Sequence, residues 1–343
     1  MKKLLSLLKY ALLLGISAFL MWYALKELDF QKLWAELRST NYTWIGVSLL
    51  MGVAAYISRA YRWHMQIKPT GHNPSLVRTY RAMMVGYLAN LVLPRMGEVV
   101  RCSVLKRSDG VPVNTGFGTV IAERFIDLLM LLLAVGIALL VEFSRIRDFF
   151  LTLLAEKYVG FEQTLNSLYW VFWVMLGGAV VILFIMLRYL SRLRKNKYFR
   201  KSVDFVKGML QGIFSITKVE NQVAFWGHTV FVWLMYYAMS VVVFFAMPAT
   251  ANLGWGAGLS VLVVGSLGMA APVQGGIGVY HLLVQATLLL YGVPKEAGMA
   301  YALLAHTSQT LLVVMMGVIS FIATVLHRPE HIIPQESVHE LKQ

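Results

Sequence analysis

Between Gln222 and Pro294 the sequence has no Asp, Glu, Lys or Arg at all. No soluble fold keeps so long a stretch uncharged, and a helix needs only about 20 apolar residues to cross a bilayer. Charged residues are scarce throughout, at 14%, against 58% hydrophobic and a mean hydropathy of +0.64. The polar segments are too short to bury a core of their own, which excludes a separate soluble catalytic domain within these 343 residues. Cys102 is the single cysteine, so no disulfide forms within the chain. No Gly-Lys-Ser/Thr follows the glycines at 275–278, which excludes a nucleotide-binding loop. No histidine pair stands at metal-ligand spacing with a carboxylate, and no nucleophile triad is legible. The sequence therefore predicts no cofactor, no metal and no catalytic residue. The net charge of +14 would suggest nucleic acid in a soluble chain. Here it has another origin, and no nucleic-acid partner is expected.

That origin is position. Apolar runs at 7–25, 42–65, 117–141, 168–187, 223–247 and 297–326 predict six full spans. Basic residues gather where alternation puts the inside: the amino terminus, 59–81 with five basic residues and no acid, 95–115, and 188–218 with nine basic residues and one acid. On this assignment 23 Lys and Arg lie inside and seven outside, leaving Arg124 alone in the membrane. Both termini are then cytoplasmic, in a plasma (inner) membrane. The amino-terminal Met-Lys-Lys start has no small-residue cleavage site after it and reads as an uncleaved first span. Apolar residues at helical spacing in 188–218 suggest an amphipathic helix on the inner surface, or a plain solvated linker helix. Trp22, Trp44, Trp63, Trp170, Trp226 and Trp255, near span ends, fit an aromatic belt.

Two further apolar segments are broken. Segment 76–105 is interrupted at Pro94-Arg-Met-Gly97, and 257–291 at Pro272-Val-Gln-Gly-Gly-Ile-Gly278. Proline removes an amide donor and glycine permits a tight turn, so each segment reads as a re-entrant helical hairpin. Such hairpins are tolerated only when buried in protein or lining a cavity. The chain is thus expected to be an all-α polytopic membrane protein in a single membrane domain, 1–343. Its first half, 1–142, starts inside. Its second half, 143–326, starts outside, and 327–343 is a cytoplasmic tail. That order is the logic of an inverted repeat, with a site where the broken elements meet.

Three polar groups stand out against this background. Glu123, Arg124 and Asp127 sit within an apolar span, where an ionised group is costly unless paired or hydrated. Glu123 and Asp127 share a helical face, and Arg124 and Asp127 are placed to pair. They form either an internal ion pair or a site for a polar substrate. Arg95, Glu98 and Arg101 lie at the first break, with Asn90 a turn before it. A guanidinium fork matches phosphate oxygens, so this tip suits a lipid headgroup. The plain alternative is a positive-inside anchor with a local Glu98–Arg101 pair. At the second break, Gln274, Gly275, Gly276 and His281 are candidates for an outer half of the path. His306 and Gln309 share a face of the last span, where a helix–helix hydrogen bond is the plain reading and a polar lining is the other.

Asn90 with Pro94-Arg-x-Gly-Glu98-x-x-Arg101, then Glu123-Arg-x-x-Asp127, then Pro272-x-x-Gly-Gly-x-Gly278 resembles the lysylphosphatidylglycerol synthase transmembrane-region family, also called flippase-like or UPF0104 proteins. The resemblance covers about residues 10–326. It departs at two positions: Gln274 stands where the family pattern has a second proline, and His281 where it has a glutamate. His281 still carries a group that titrates near neutral pH. The resemblance implies a translocator of phospholipid or a lipid-linked headgroup working by alternating access. The acyltransferase-like domain that makes the lipid in family members has no counterpart here, so the chain is expected not to be an enzyme. Other readings are a proton-coupled carrier of a small solute, an intramembrane enzyme, and a scaffold that recruits a separate soluble lipid-modifying enzyme through 188–218. The sequence leaves the lipid, the energy source and the oligomeric state open.

Overall fold

The structure is a computed structural model that describes residues 2–92 (side chains from 14), 96–143, 207, 210, 213–271 and 273–326. Arg95, with Pro94 and Pro272, lies outside the described residues. So do the expected span 168–187, most of the basic segment 188–218, and the tail 327–343. The chain forms two compact units, Met1–Val135 with Met209–Gln343, and Gly136–Gly208. Everything below concerns the first.

Its architecture is all helical. The helices are α1 (Lys2–Leu25), α2 (Phe30–Arg38), α3 (Tyr42–Ile67), α4 (Leu76–Val92), α5 (Gly97–Asp109), α6 (Val113–Val141), α7 (Gln222–Phe244), α8 (Trp255–Ala270), α9 (Val279–Leu290) and α10 (Lys295–Leu326). Polar residues set several starts by accepting from orphan amides of the first turn. Asp29 accepts from Gln31 and Lys32 at the start of α2, Asn41 from Thr43 at α3, and Asn221 from Ala224 at α7. Helices α3, α6, α7 and α10 are long and apolar enough to cross a membrane. They match four of the six expected spans. The first expected span lies within α1.

Both broken segments are pairs of short helices. Helices α4 and α5 have 17 and 13 residues, and α8 and α9 have 16 and 12. At 1.5 Å per residue each is about 18–26 Å long, short of a hydrocarbon core of about 30 Å. The arms of the first pair touch at backbone level. A Cβ added to Gly97 would meet the Gly86 carbonyl oxygen at 2.1 Å, so only glycine fits there. The second break is built on left-handed glycines, with φ of 59° at Gly275, 72° at Gly276 and 84° at Gly278.

Small residues let the other helices approach. Gly317 of α10 lies under Leu88 of α4, and Gly268 of α8 lies against the Tyr280 backbone at the start of α9. Helix α3 packs along α7, and α10 packs against both α4 and α9. Phe244, Met247, Val284, Leu288 and Tyr301 form the largest apolar core. The exposed face of α6, with Leu128, Leu132 and Leu133, is apolar as a lipid-facing surface requires.

Candidate functional site

The midspan charges of α6 are answered from α3. Arg59 and Arg62 are three apart, so they share a face, and Glu123 and Asp127 are four apart on theirs. Arg59 donates from Nε to Glu123 Oε1 at 2.8 Å, from Nη2 to Asp127 Oδ2, and from Nη1 to the Tyr236 hydroxyl of α7 at 3.0 Å. Arg62 donates from Nη2 to Asp127 Oδ1 at 2.8 Å and to Glu123 Oε1 at 3.3 Å. Its Nη1 reaches Thr229 Oγ1 at 3.5 Å. Each carboxylate thus serves two arginines. Arg62 and Glu123 have no exposed surface.

The first hairpin adds a third arginine. Asn90 Oδ1 accepts from the Gly97 amide at 2.7 Å, which fixes the start of α5. One turn on, Arg101 enters the cluster with 1% of its surface exposed. Its Nη2 lies 2.9 Å from Glu123 Oε2. That contact is ionic only. Among the described residues, Arg101 Nε, Nη1 and Nη2 and Glu123 Oε2 have no hydrogen-bond partner. The guanidinium lies 4.7 Å from the ring centre of Trp63, within cation–π range. Trp63 is itself fully buried and donates to Thr119 Oγ1 at 2.9 Å. Arg124 faces outward from the cluster, half-exposed, and donates to Glu98 Oε1 at 3.1 Å.

Four arginines and three carboxylates meet here among the described residues, so the cluster carries one net positive charge. Burying an unpaired charge is costly, and buried donors are normally satisfied. A buried guanidinium with free N–H groups beside a net positive charge is suited to an oxyanion. The planar fork of arginine matches phosphate geometry.

The second break holds a separate polar group. Gln274 Nε2 donates to the last carbonyls of α4, Leu91 at 2.7 Å and Val92 at 3.2 Å, so the two broken hairpins are joined directly. The Gln274 amide donates to Ser17 Oγ of α1 at 3.3 Å. His306 Nε2 donates to the Gly275 carbonyl at 2.8 Å. Gly278 donates its amide to His281 Nδ1 at 3.4 Å. The two imidazole rings are 4.9 Å apart, and Gly276 is buried beneath Met269. Gln309 donates to Ser48 of α3.

The structure gathers Glu98, Arg101, Glu123, Arg124 and Asp127 in one cluster and Gln274, Gly275, His281 and His306 in another. Asn90 caps α5. Three expectations are corrected. The local Glu98–Arg101 pair gives way to Glu98–Arg124 and Arg101–Glu123, because α5 and α6 offer each group a better-placed partner. Arg59 and Arg62 were counted as inside loop charges, but they lie on α3 and are buried, so Arg124 is not alone in the apolar part. Trp63 is not in an aromatic belt but is a buried platform for Arg101. Trp22, Trp44, Trp226 and Trp255 are exposed, as a belt requires. The signal for Arg59 and Arg62 was present: two arginines on one face, spaced to complement two acids on another helix.

A helical membrane fold around a buried, partly unsatisfied arginine–carboxylate network defines a polytopic membrane protein with an internal polar site. Residues 9–317 match the family model described as "Lysylphosphatidylglycerol synthase TM region", and the chain belongs to that family. A stretch of 122 residues is 24% identical to the UPF0104 membrane protein MJ1595 of Methanocaldococcus jannaschii. That alignment spans about a third of each protein, 35% of this chain and 36% of the relative. No solved structure matches.

Proposed function

We propose that the protein binds the phosphate of a phospholipid or lipid-linked headgroup at the arginine cluster and moves the headgroup between leaflets of a plasma membrane. One observation carries this reading: Arg101, almost fully buried, has none of its N–H groups hydrogen-bonded among the described residues, in a cluster with one net positive charge. A phosphodiester supplies both the missing acceptors and the missing charge. Arg95 receives the headgroup at the tip of the first hairpin, and Arg101 takes it into the cluster. Glu123, Arg124 and Asp127, with Arg59 and Arg62, form its middle station, and Gln274–Gly276 with His281 form the outer one. The two hairpins are re-entrant, both termini are cytoplasmic, and rocking of one half against the other alternates access. The join from Gln274 to the end of α4 supports such coupling, since it ties the second break to the helix that leads to the first. The chain then acts as a carrier rather than an enzyme, and a separate soluble enzyme would modify the lipid. A relay that uses these carboxylates to move protons for a small solute is less favoured, because Glu123 and Asp127 are each held by three arginines.

The test is reconstitution in vesicles with chain-matched labelled lipids that differ in headgroup. Phosphate-bearing lipids are expected to exchange between leaflets faster than a diacylglycerol-linked sugar lacking phosphate. Equal exchange of both would reject the phosphate reading.

A further inference from the structure

His306 and His281 lie in a part of the molecule with no formal charge. Neither imidazole belongs to an ion pair among the described residues, and both are buried. The groups around them are neutral. Helix α9 contributes Tyr280, whose ring is 5.1 Å from that of His306. Helix α8 and the break contribute no Asp, Glu, Lys or Arg. Helix α1 contributes Ser17, through the Gln274 amide. On α10 itself the neighbours are Gln309 and Tyr301, with Lys295 and Glu296 at the far end. The charged residues of α4, Arg78 and Arg81, stand at the end away from the break.

The hydrogen bonds fix where protons sit. A carbonyl oxygen only accepts, so the Gly275 contact places the His306 hydrogen on Nε2 and leaves its lone pair on Nδ1. An amide N–H only donates, so His281 uses its Nδ1 lone pair on Gly278 and carries its hydrogen on Nε2. The two rings therefore differ as bases. A proton added to His281 must take Nδ1 and breaks the bond to Gly278. A proton added to His306 takes Nδ1, which has no hydrogen bond among the described residues, and keeps the bond to Gly275.

From this we infer that His306 is a proton-binding site at the second break, and that its protonation is linked to occupancy of that break by an anionic headgroup. A buried imidazolium with no counter-ion is unfavourable, and so is a buried phosphate with none. Each removes the penalty on the other, and the linkage is reciprocal: the proton raises affinity for the anion, and the anion raises affinity for the proton. The proton comes from bulk water, adds to His306 Nδ1 and leaves when the headgroup departs. No covalent bond changes. Gln274 passes the occupied state of the break to the end of α4, and so to the hairpin that carries Arg101. The inference rests on the headgroup reading above and supplies it with an energy source.

Leaflet exchange of a labelled phospholipid in vesicles, at equal pH on both sides, tests it. Site-to-site coupling in proteins commonly changes affinity by about 5- to 150-fold. Wild-type exchange is therefore expected to rise at least about fivefold from pH near 7.5 to near 5.5. His306→Gln retains an N–H for the Gly275 carbonyl but offers no base, and its exchange is expected to be flat with pH. On the wild-type protein, a pH dye inside the vesicles should report proton movement with lipid exchange under an imposed lipid imbalance, a readout that does not depend on the variant folding. Exchange independent of pH in the wild type, or the same pH dependence in His306→Gln, overturns the proton site and leaves the headgroup reading standing. Exchange absent at every pH overturns the headgroup reading and this inference with it.

Discussion

Glu123→Ala is expected to be the most damaging single substitution in the protein, lowering stability by about 3–5 kcal/mol, the usual loss when one partner of a buried ion pair is removed. Glu123 has no exposed surface and lies within 3.3 Å of the guanidinium groups of Arg59, Arg62 and Arg101. Without it, Arg59 and Arg62 are left to share Asp127, and Arg101 loses its ionic contact altogether. Water cannot compensate in an apolar span. Thermal unfolding in detergent measures the loss. Glu123→Gln keeps the shape and should fall between wild type and Ala, because an amide accepts from arginine but carries no charge. A Glu123→Ala protein as stable as wild type would mean that the cluster contributes nothing to the fold.

Arg101→Gln is expected to do the opposite: fold almost as well as wild type and lose lipid exchange by about 100-fold. The structural side follows from its contacts. Among the described residues the Arg101 guanidinium makes no hydrogen bond, and Glu123 remains paired with Arg59 and Arg62 when it is gone. The substitution also brings the cluster to formal neutrality, which favours the empty site. The functional side follows from the same facts. Hydrogen bonds to charged groups are worth about 1.5–3 kcal/mol each, and a bidentate contact to a phosphate forms two. Losing one such contact on the path corresponds to roughly two orders of magnitude at 1.4 kcal/mol per decade. Exchange by Arg101→Gln at the wild-type rate, in vesicles where its folding has been verified, would remove Arg101 from the path.

The contrast between these two residues shows how far the sequence could be read. Five of the expected spans and the two pairs of short helices were legible, because proline, glycine and the absence of charge act locally, whereas the short α2 carried no such signal. Glu123 and Asp127 were legible as anomalies for the same reason. Their partners were not. A count of basic residues by position treats Arg59 and Arg62 as loop charges, since it has no access to which face of α3 meets α6. Arg101 looked like a partner for Glu98 because helical spacing favours near neighbours. Only the packing of α5 on α4, at the Gly86–Gly97 contact, directs it to Glu123 instead. Trp63 looked like an interfacial residue because it lies near the end of its helix. Asn90 and Gln274, candidates for the substrate path, also hold the two breaks, one by capping α5 and the other by closing the end of α4. Polar groups near breaks serve backbone ends as readily as ligands, and sequence does not separate the two uses.

The central claim is that the buried arginine cluster holds a phosphate. The most direct measurement is native mass spectrometry of purified protein after progressive removal of lipid, comparing wild type with Arg101→Gln. The account predicts that the wild type retains one phosphate-bearing lipid after bulk lipid has been stripped and that Arg101→Gln does not. Equal retention by the two proteins, or retention of lipids without regard to phosphate, would contradict it.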